Sequence, residues 1–405
     1  MRRALAAALA TLVACASPVT TPSATPATTA SGIAVTSPQT VTATPTSAPT
    51  ATASPRLGPA VIENVQLIAA GLEVPWAVAQ APDGRLFVTE RPGRVRIVRL
   101  GGGGLQAQPW ANVPARANPD AERGLLGIAL DPDFVRSGFV YLYYSYAGPG
   151  GATLNRLVRM RDNNGTGTDE TILLDNIPGS ANHDGGRIAF GPDGKLYVAT
   201  GDGEQQNRAQ DRSSLGGKIL RLEKDGTLPA DNPIAGSLVY SLGHRNGQGL
   251  AFHPDTRVLY QTEHGPSGFF PACCQDEVNR IEAGANYGWP IVTGKPGDQR
   301  FRDPILSSGA VDTWAPSGAT FATRPGPLRG SLLFANLRSQ HLHRIVLTPD
   351  GRGVAFEERM LVNQYGRLRD IFEISTGEFL LLTSNRDGRG RPRDDDDRLL
   401  LVTLR

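Results

Sequence analysis

Six times after residue 57 the chain makes the same move: a tight turn rich in Pro, Asp and Gly, then an apolar strand. Ala81-Pro82-Asp83-Gly84 leads into Arg85-Leu86-Phe87-Val88-Thr89, and Asp131-Pro132-Asp133-Phe134 into Gly138-Phe139-Val140-Tyr141-Leu142-Tyr143. Gly191-Pro192-Asp193-Gly194 leads into Leu196-Tyr197-Val198, and His253-Pro254-Asp255 into Val258-Leu259-Tyr260. Gly326-Pro327-Leu328-Arg329-Gly330 leads into Ser331-Leu332-Leu333-Phe334, and Ser375-Thr376-Gly377-Glu378 into Phe379-Leu380-Leu381-Leu382-Thr383. Pro fixes φ at one corner of such a turn and Asp-Gly supplies the corner with positive φ. Strand-turn units recurring at roughly 45 to 75 residues, with no amphipathic helix of length between them, are the mark of a β-propeller with one sheet per unit. Six units predict an all-β, six-bladed propeller, with long insertions in the fourth and fifth intervals. A pair of β-sandwiches competes, but does not account for six copies of one turn.

The 405 residues suffice for one large all-β domain or two ordinary ones. A near balance of 41 Lys+Arg against 39 Asp+Glu, with no basic block, argues against nucleic acid as a partner.

The first residues read as an address. Met1-Arg2-Arg3 is a charged start, and the apolar run Ala4 to Val13 is too short to span a bilayer. Leu12-Val13-Ala14-Cys15 resembles a bacterial lipoprotein signal, with cleavage before Cys15 and a lipid anchor on its thiol; an ordinary secretory signal is the alternative. Residues 1–15 are thus expected to be signal and lipidated Cys. Residues 16–56, almost wholly Ser, Thr, Pro, Ala and Val, form an expected disordered tether, because such a composition buries too little apolar surface to offset ordering. With a lipid anchor, the tether would hold the folded part, residues 57–405, away from a membrane surface and outside the cytoplasm, in the periplasm or on the outer cell surface. The remaining cysteines, Cys273-Cys274, are adjacent. They form either a vicinal disulfide or two loop thiols; no second Cys pair exists to complete a zinc site.

The third unit carries the chemistry. Strands Ile188-Ala189-Phe190 and Lys195 to Thr200 form a hairpin, with His183 before the first and Asp202 after the second. An antiparallel hairpin returns to the end it started from, so these two residues can face each other as a base held by a carboxylate. The bland alternative is a surface His and a turn Asp. Around other units stand Arg245, Arg338, Arg367 and Arg369, with few carboxylates in those motifs to match them. Guanidinium groups gathered about one axis favour an anionic ligand, since arginine grips planar carboxylates through two hydrogen bonds.

Gly124-Leu125-Leu126-Gly127, His183 with Gly185-Gly186-Arg187, Gly201-Asp202, Gly243-His244-Arg245-Asn246, Gly265-Pro266, Asp276-Glu277-Val278-Asn279, Asn286-Tyr287-Gly288-Trp289-Pro290 and Arg367-Leu368-Arg369-Asp370 stand in that order along the chain. The ordered set resembles the soluble glucose/sorbosone dehydrogenases that depend on pyrroloquinoline quinone (PQQ), from about Ile62 to the C-terminus. The resemblance implies a six-bladed propeller, and a reaction in which an aldose gives up a hydride from its anomeric carbon to PQQ. It implies that His183 is the general base, Asp202 its support, and Arg245 a stabiliser of charge on the quinone oxygen. It assigns Asn246 to cofactor binding, Arg338, Arg367 and Arg369 to the PQQ carboxylates, and Glu122 to the lining of the same pocket. The carbonyls of Gly265 and Pro266 would hold a Ca²⁺, a hard ion suited to oxygen ligands. Glu277 resembles a ligand of a second Ca²⁺. Electrons would pass to an external acceptor, a quinone or cytochrome.

Some positions depart from the family pattern. Asn182 stands where glucose-specific members have Asp; Glu122 stands where some have Gln, and Arg338 where some have Lys. Residues 267–275 do not match. Two other readings belong to different classes: a Ca²⁺-dependent lactonase, which the arginine excess disfavours, and a non-catalytic propeller binding glycan or protein, which has no need of His183, Asp202 and Arg245 together.

Overall fold

A computed structural model describes residues 56–266 and 273–405. Cys15, and the expected tether up to residue 55, lie outside the described residues. The described chain forms six antiparallel sheets in sequence order. Their innermost strands are Pro75–Gln80, Leu125–Leu130, Gly185–Phe190, Gly247–Phe252, Pro316–Phe321 and Leu368–Glu373. Each packs against the next and the sixth against the first, so the sheets close into a six-bladed propeller.

All six turns read from the sequence join a first strand to a second. In the third blade, Gly185–Phe190 pairs with Leu196–Thr200 across Gly191-Pro192-Asp193-Gly194, and Gly194 takes φ +76°. Because blades stack face to face, a second strand is covered on both sides. Leu196–Thr200 and Phe379–Thr383 are accordingly buried at every residue, which is why they read as unbroken apolar runs rather than alternating ones. Trp76, Phe87, Trp110, Tyr141, Tyr143, Leu125 and Val198 belong to one cluster spanning the first three blades.

Closure is completed by the N-terminal strand. Ile62–Ala69 pairs antiparallel with the C-terminal strand Leu399–Leu404 and supplies the outer edge of the sixth blade. The longest insertion, between Leu259–Glu263 and Pro316–Phe321, falls in the fourth interval as expected. The fifth interval is compact: Ser331–Asn336, Leu342–Leu347 and Val354–Met360 follow one another with short connections, so no insertion lies there. Helical structure among the described residues is confined to Phe134–Ser137 and two single 3₁₀ turns.

All innermost strands begin at one face of the ring. Residues just before a first strand, and just after a second, therefore gather at that face. The axis beneath is plugged by Arg187, which pairs with Asp370 at 3.1 Å and lies over the Trp76 ring, 4.4 Å from its centroid.

Candidate active site

A cleft of about 1140 Å³ opens at this face, and its lining includes Glu122, His183, Asp202, Arg245, Pro266, Arg338, Arg367 and Arg369. The hairpin geometry holds. His183 Nδ1 lies 2.9 Å from Asp202 Oδ1. An ionised carboxylate only accepts, so Nδ1 carries the hydrogen and Nε2 keeps its lone pair toward the cleft. Asp202 is fully buried, and its other oxygen accepts from Trp289 Nε1 at 2.8 Å, while Oδ1 also accepts from the Glu204 amide at 2.8 Å.

Local backbone presses the base forward. His183 has φ +60°, a left-handed conformation that costs a side-chain-bearing residue about 1–3 kcal/mol. Its amide donates to Glu122 Oε2 at 3.3 Å and its carbonyl accepts from the Gly203 amide at 3.1 Å. Gly201 runs so close beneath that a Cβ there would stand 1.8 Å from the His183 carbonyl oxygen. Gly201, just before Asp202, is what lets the two loops touch.

Arg245 lies over the Trp289 ring at 5.4 Å and donates to the His264 carbonyl at 3.0 Å; burial lowers its proton affinity. Arg369 donates to Gln248 Oε1 at 2.7 Å, and burial pushes it down to about 9. Arg367 is bound to Asp387 at 2.8 Å, and the same carboxylate stands 3.9 Å from Arg369. Arg338 is exposed, with no side-chain partner among the described residues. The arginines are therefore better matched than their motifs implied: Asp387 lies between two of them.

Asn246 does not line the cleft. It is fully buried, accepting from the Gly185 amide at 3.0 Å and donating to Glu122 Oε2 at 3.2 Å, so its amide ties the third and fourth blades together behind the wall. Burial works against the charge of Glu122, but His264, Arg389 and His183 outweigh it and hold the carboxyl low. Of these Arg389 is the permanent cation, since burial pushes His264 itself down to about 3. Asp184, beside the base, is pushed up to about 8 by burial.

Gly265 and Pro266 sit beside Arg245, Trp289 and Glu277, and the Gly265 amide donates to Asp276 Oδ1 at 2.9 Å. Glu277 accepts from the Gly294 amide at 2.8 Å and from Asn279 at 3.1 Å; burial, with Glu263 and Asp276 adding to it, raises it to about 8. No group of three His, Cys, Asp or Glu side chains suited to a metal occurs among the described residues. Cys273 and Cys274 form a vicinal disulfide; residues 267–272 before it are not described.

The glucose/sorbosone dehydrogenase family profile matches residues 72–400. The chain belongs to the glucose/sorbosone dehydrogenase family. A PQQ-bound aldose sugar dehydrogenase from Streptomyces coelicolor is 37% identical, with TM-score 0.77, over 87% of this chain and all of that one. A putative glucose dehydrogenase from Thermus thermophilus is 44% identical, with TM-score 0.76, over 84% and 99%. The aldose sugar dehydrogenase YliI of Escherichia coli is 32% identical, over 80% of this chain and 91% of its own length. This dehydrogenase is thus an oxidoreductase, which sets aside the lactonase and the non-catalytic propeller.

Two charged cleft residues, Glu204 and Arg389, escaped the sequence reading, as did Asp387, which holds Arg367 and the Arg389 amide. Glu204 accepts from Asn182 Nδ2 at 3.0 Å, and Arg389 donates to Glu122 at 2.7 Å and to Asn182 at 2.9 Å. A signal for them was present, since charged residues flanked by glycine follow the second strands of the third and sixth blades, in Gly201-Asp202-Gly203-Glu204 and Asp387-Gly388-Arg389-Gly390.

Proposed function

We propose that this dehydrogenase oxidises the anomeric carbon of an aldose to the lactone, using PQQ and Ca²⁺ held in the cleft and passing electrons to an external quinone or cytochrome. The observation that carries the reading is the His183–Asp202 pair facing a ring of arginines across one cleft. The residues fit the cofactor. Arg245 Nε, Arg369 Nε and His264 Nε2 are buried in the cleft lining without a hydrogen-bond partner, an arrangement that favours a ligand rich in acceptors. Arg338, Arg367 and Arg369 would hold its carboxylates, with Arg245 at the quinone oxygen. The carbonyls of Gly265 and Pro266 would supply the hard oxygens that Ca²⁺ prefers, with Glu263, Asp276 and Glu277 close by.

When bound, PQQ supplies the hydride acceptor and Ca²⁺ the Lewis acid beside it. The chain's own work is the proton. Nε2 of His183 takes it from the anomeric hydroxyl, and Asp202 keeps the imidazole in the tautomer that can accept it and steadies the imidazolium that results. Arg245 would stabilise the negative charge that develops on the quinone oxygen.

The test is reconstitution: purified apo-protein is assayed with an aldose panel and a redox dye, with PQQ and Ca²⁺ added singly and together. Oxidation is expected only with both. Turnover without the quinone, or none with any aldose, overturns the reading. By the same reading Cys15 carries a lipid, and Cys15→Ser is expected to move the protein from the membrane fraction to the soluble one; retention in the membrane would remove the anchor.

A further inference from the structure

Arg389 lies on the loop between the second and third strands of the sixth blade, Phe379–Thr383 and Leu399–Leu404, yet it contacts loops of the second and third. Nη1 donates to Glu122 Oε1 at 2.7 Å and Nη2 to Asn182 Oδ1 at 2.9 Å. The other Glu122 oxygen receives the His183 amide and the Asn246 side chain. Asn182 in turn donates to Glu204, whose amide is bound to Asp202. Both arms of one guanidinium thus end on groups that hold His183. The root of the loop is fixed as well, because Asp387 Oδ1 accepts from the Arg389 amide at 3.0 Å while Oδ2 binds Arg367. Gly388, at φ +83°, passes so near the loop before Glu122 that a Cβ would stand 2.5 Å from the Pro119 carbonyl oxygen.

We infer that Arg389 is a positioning residue for the base: a strap from the sixth blade that neutralises and aims the Glu122 carboxylate, and through it holds His183. A left-handed histidine keeps its conformation only where its surroundings over-determine it. Glu122 is one of those surroundings and is itself largely withdrawn from water, its side chain 18% exposed. A carboxylate so placed needs a partner. Arg389, its side chain 47% exposed, meets that need: its partial burial works against the charge, but Glu122 outweighs it. A neutral residue at position 122 would make no such demand, so the strap belongs with the Glu.

Charged and titratable groups around His183 come from several elements: Asp202 and Glu204 after the third blade's second strand, Asp184 beside it, Glu122 from the second blade, Arg245 and His264 from the fourth, and Arg389 from the sixth. Removing Arg389 alone leaves Glu122 uncompensated, and a bare carboxylate nearby favours the protonated imidazole.

This inference rests on the proposed role of His183, and its first readout needs no cofactor. The His183 imidazole is titrated by NMR in the apo-protein for wild type, Arg389→Gln, Arg389→Lys, and the double variant Glu122→Gln/Arg389→Gln. Its midpoint is expected to rise by roughly one pH unit in Arg389→Gln, to stay in place in Arg389→Lys, and to return in the double variant. In the reconstituted enzyme, Arg389→Gln is expected to lower kcat about tenfold or more and to move the acid limb of its pH profile upward. PQQ affinity, read by fluorescence titration, should fall by less than kcat does. Gly388→Ala, which displaces the strap without touching a charge, should lower kcat in the same direction. An unmoved His183 midpoint, or one that the double variant leaves displaced, overturns the inference. Failure of wild type to oxidise any aldose instead overturns the proposed function, and leaves the titration result standing.

Discussion

Asp202 is surrounded by donors: the His183 ring, the Glu204 amide and the Trp289 indole all point hydrogens at it. A carboxylate answers all three, whereas a carboxamide has one accepting atom and brings hydrogens of its own. Asp202→Asn therefore either leaves the indole facing an N–H or turns the imidazole to the wrong tautomer. We expect kcat to fall roughly 10²–10⁴-fold with PQQ affinity nearly kept, and unchanged turnover would show that Asp202 does not set the tautomer. Asp184 yields a prediction of the opposite kind. Its carboxyl is buried, accepting from Asn155 and from the Ser180 amide, with Oδ2 unpartnered. Burial raises it from the ordinary carboxylate range to about 8. The folded protein then holds a proton that the unfolded chain releases above pH ~4, so this group's contribution to stability declines as pH rises from there to about 8. Asp184→Asn removes that dependence: relative to wild type, its Tm should rise between pH 5 and pH 9. A difference in Tm that is flat across this range would show that Asp184 stays ionised in the fold.

Elements explain what could be read in advance. A turn needing Pro at one corner and Asp-Gly at another leaves a residue-level trace, so all six first-to-second connections, and from them the blade number, were legible. The His183–Asp202 meeting followed because a hairpin's return is fixed by two-strand geometry alone. Arg389 and Asp387 were not foreseen for a different reason. Their loop runs on into Arg391-Pro392-Arg393-Asp394-Asp395-Asp396-Asp397, which looks like a solvated charged stretch until the ring closes and swings it over the second and third blades. The place of Asn246 was not legible because a polar residue beside Arg245 is equally suited to a ligand or a wall; in the fold it is buried against the Gly185 amide and Glu122. Two glycines test the local part of this account. Gly194 turns with open space around it, and Ala there meets only the left-handed backbone penalty of about 1–2 kcal/mol. Gly201 has no such φ, but its missing Cβ makes room for the His183 carbonyl. Gly194→Ala should lower Tm and leave kcat alone. Gly201→Ala should lower kcat more than its Tm change accounts for, and equal kinetic effects in the two variants would mean that the close approach beneath His183 does not position it.

At the scale of the whole molecule, the cleft depends on a closure made far from it. Arg367 and Arg369 stand at the start of the sixth blade, whose outer strand, Ile62–Ala69, comes from the other end of the chain. That strand buries little, with Ala69 its one fully covered residue. Its contribution is to satisfy the edge of Leu399–Leu404, a run of six residues, five of them apolar, that would otherwise present unpaired backbone to any neighbour. Just before it the chain is clamped: buried Arg344 donates to the carbonyls of Arg56 at 2.7 Å and Gly58 at 2.9 Å, and Glu358 accepts from the Ala60 amide at 3.0 Å. Three truncations separate these contributions. Removal of residues 1–55 leaves clamp and strand intact and should preserve Tm and reconstituted activity. Removal of 1–60 takes away the carbonyls while Arg344 remains paired with Glu358 at 2.7 Å, so a loss of about 1–3 kcal/mol is expected from the buried donors left unmet. Removal of 1–69 strips the edge, and should abolish the cooperative thermal transition and drive the protein into high-mass species on size exclusion. Were that last truncation to stay monomeric and melt at the wild-type temperature, the ring would owe its integrity to packing between blades alone, and the arginine cluster would have to be held in place by the innermost strands without the N-terminal strand.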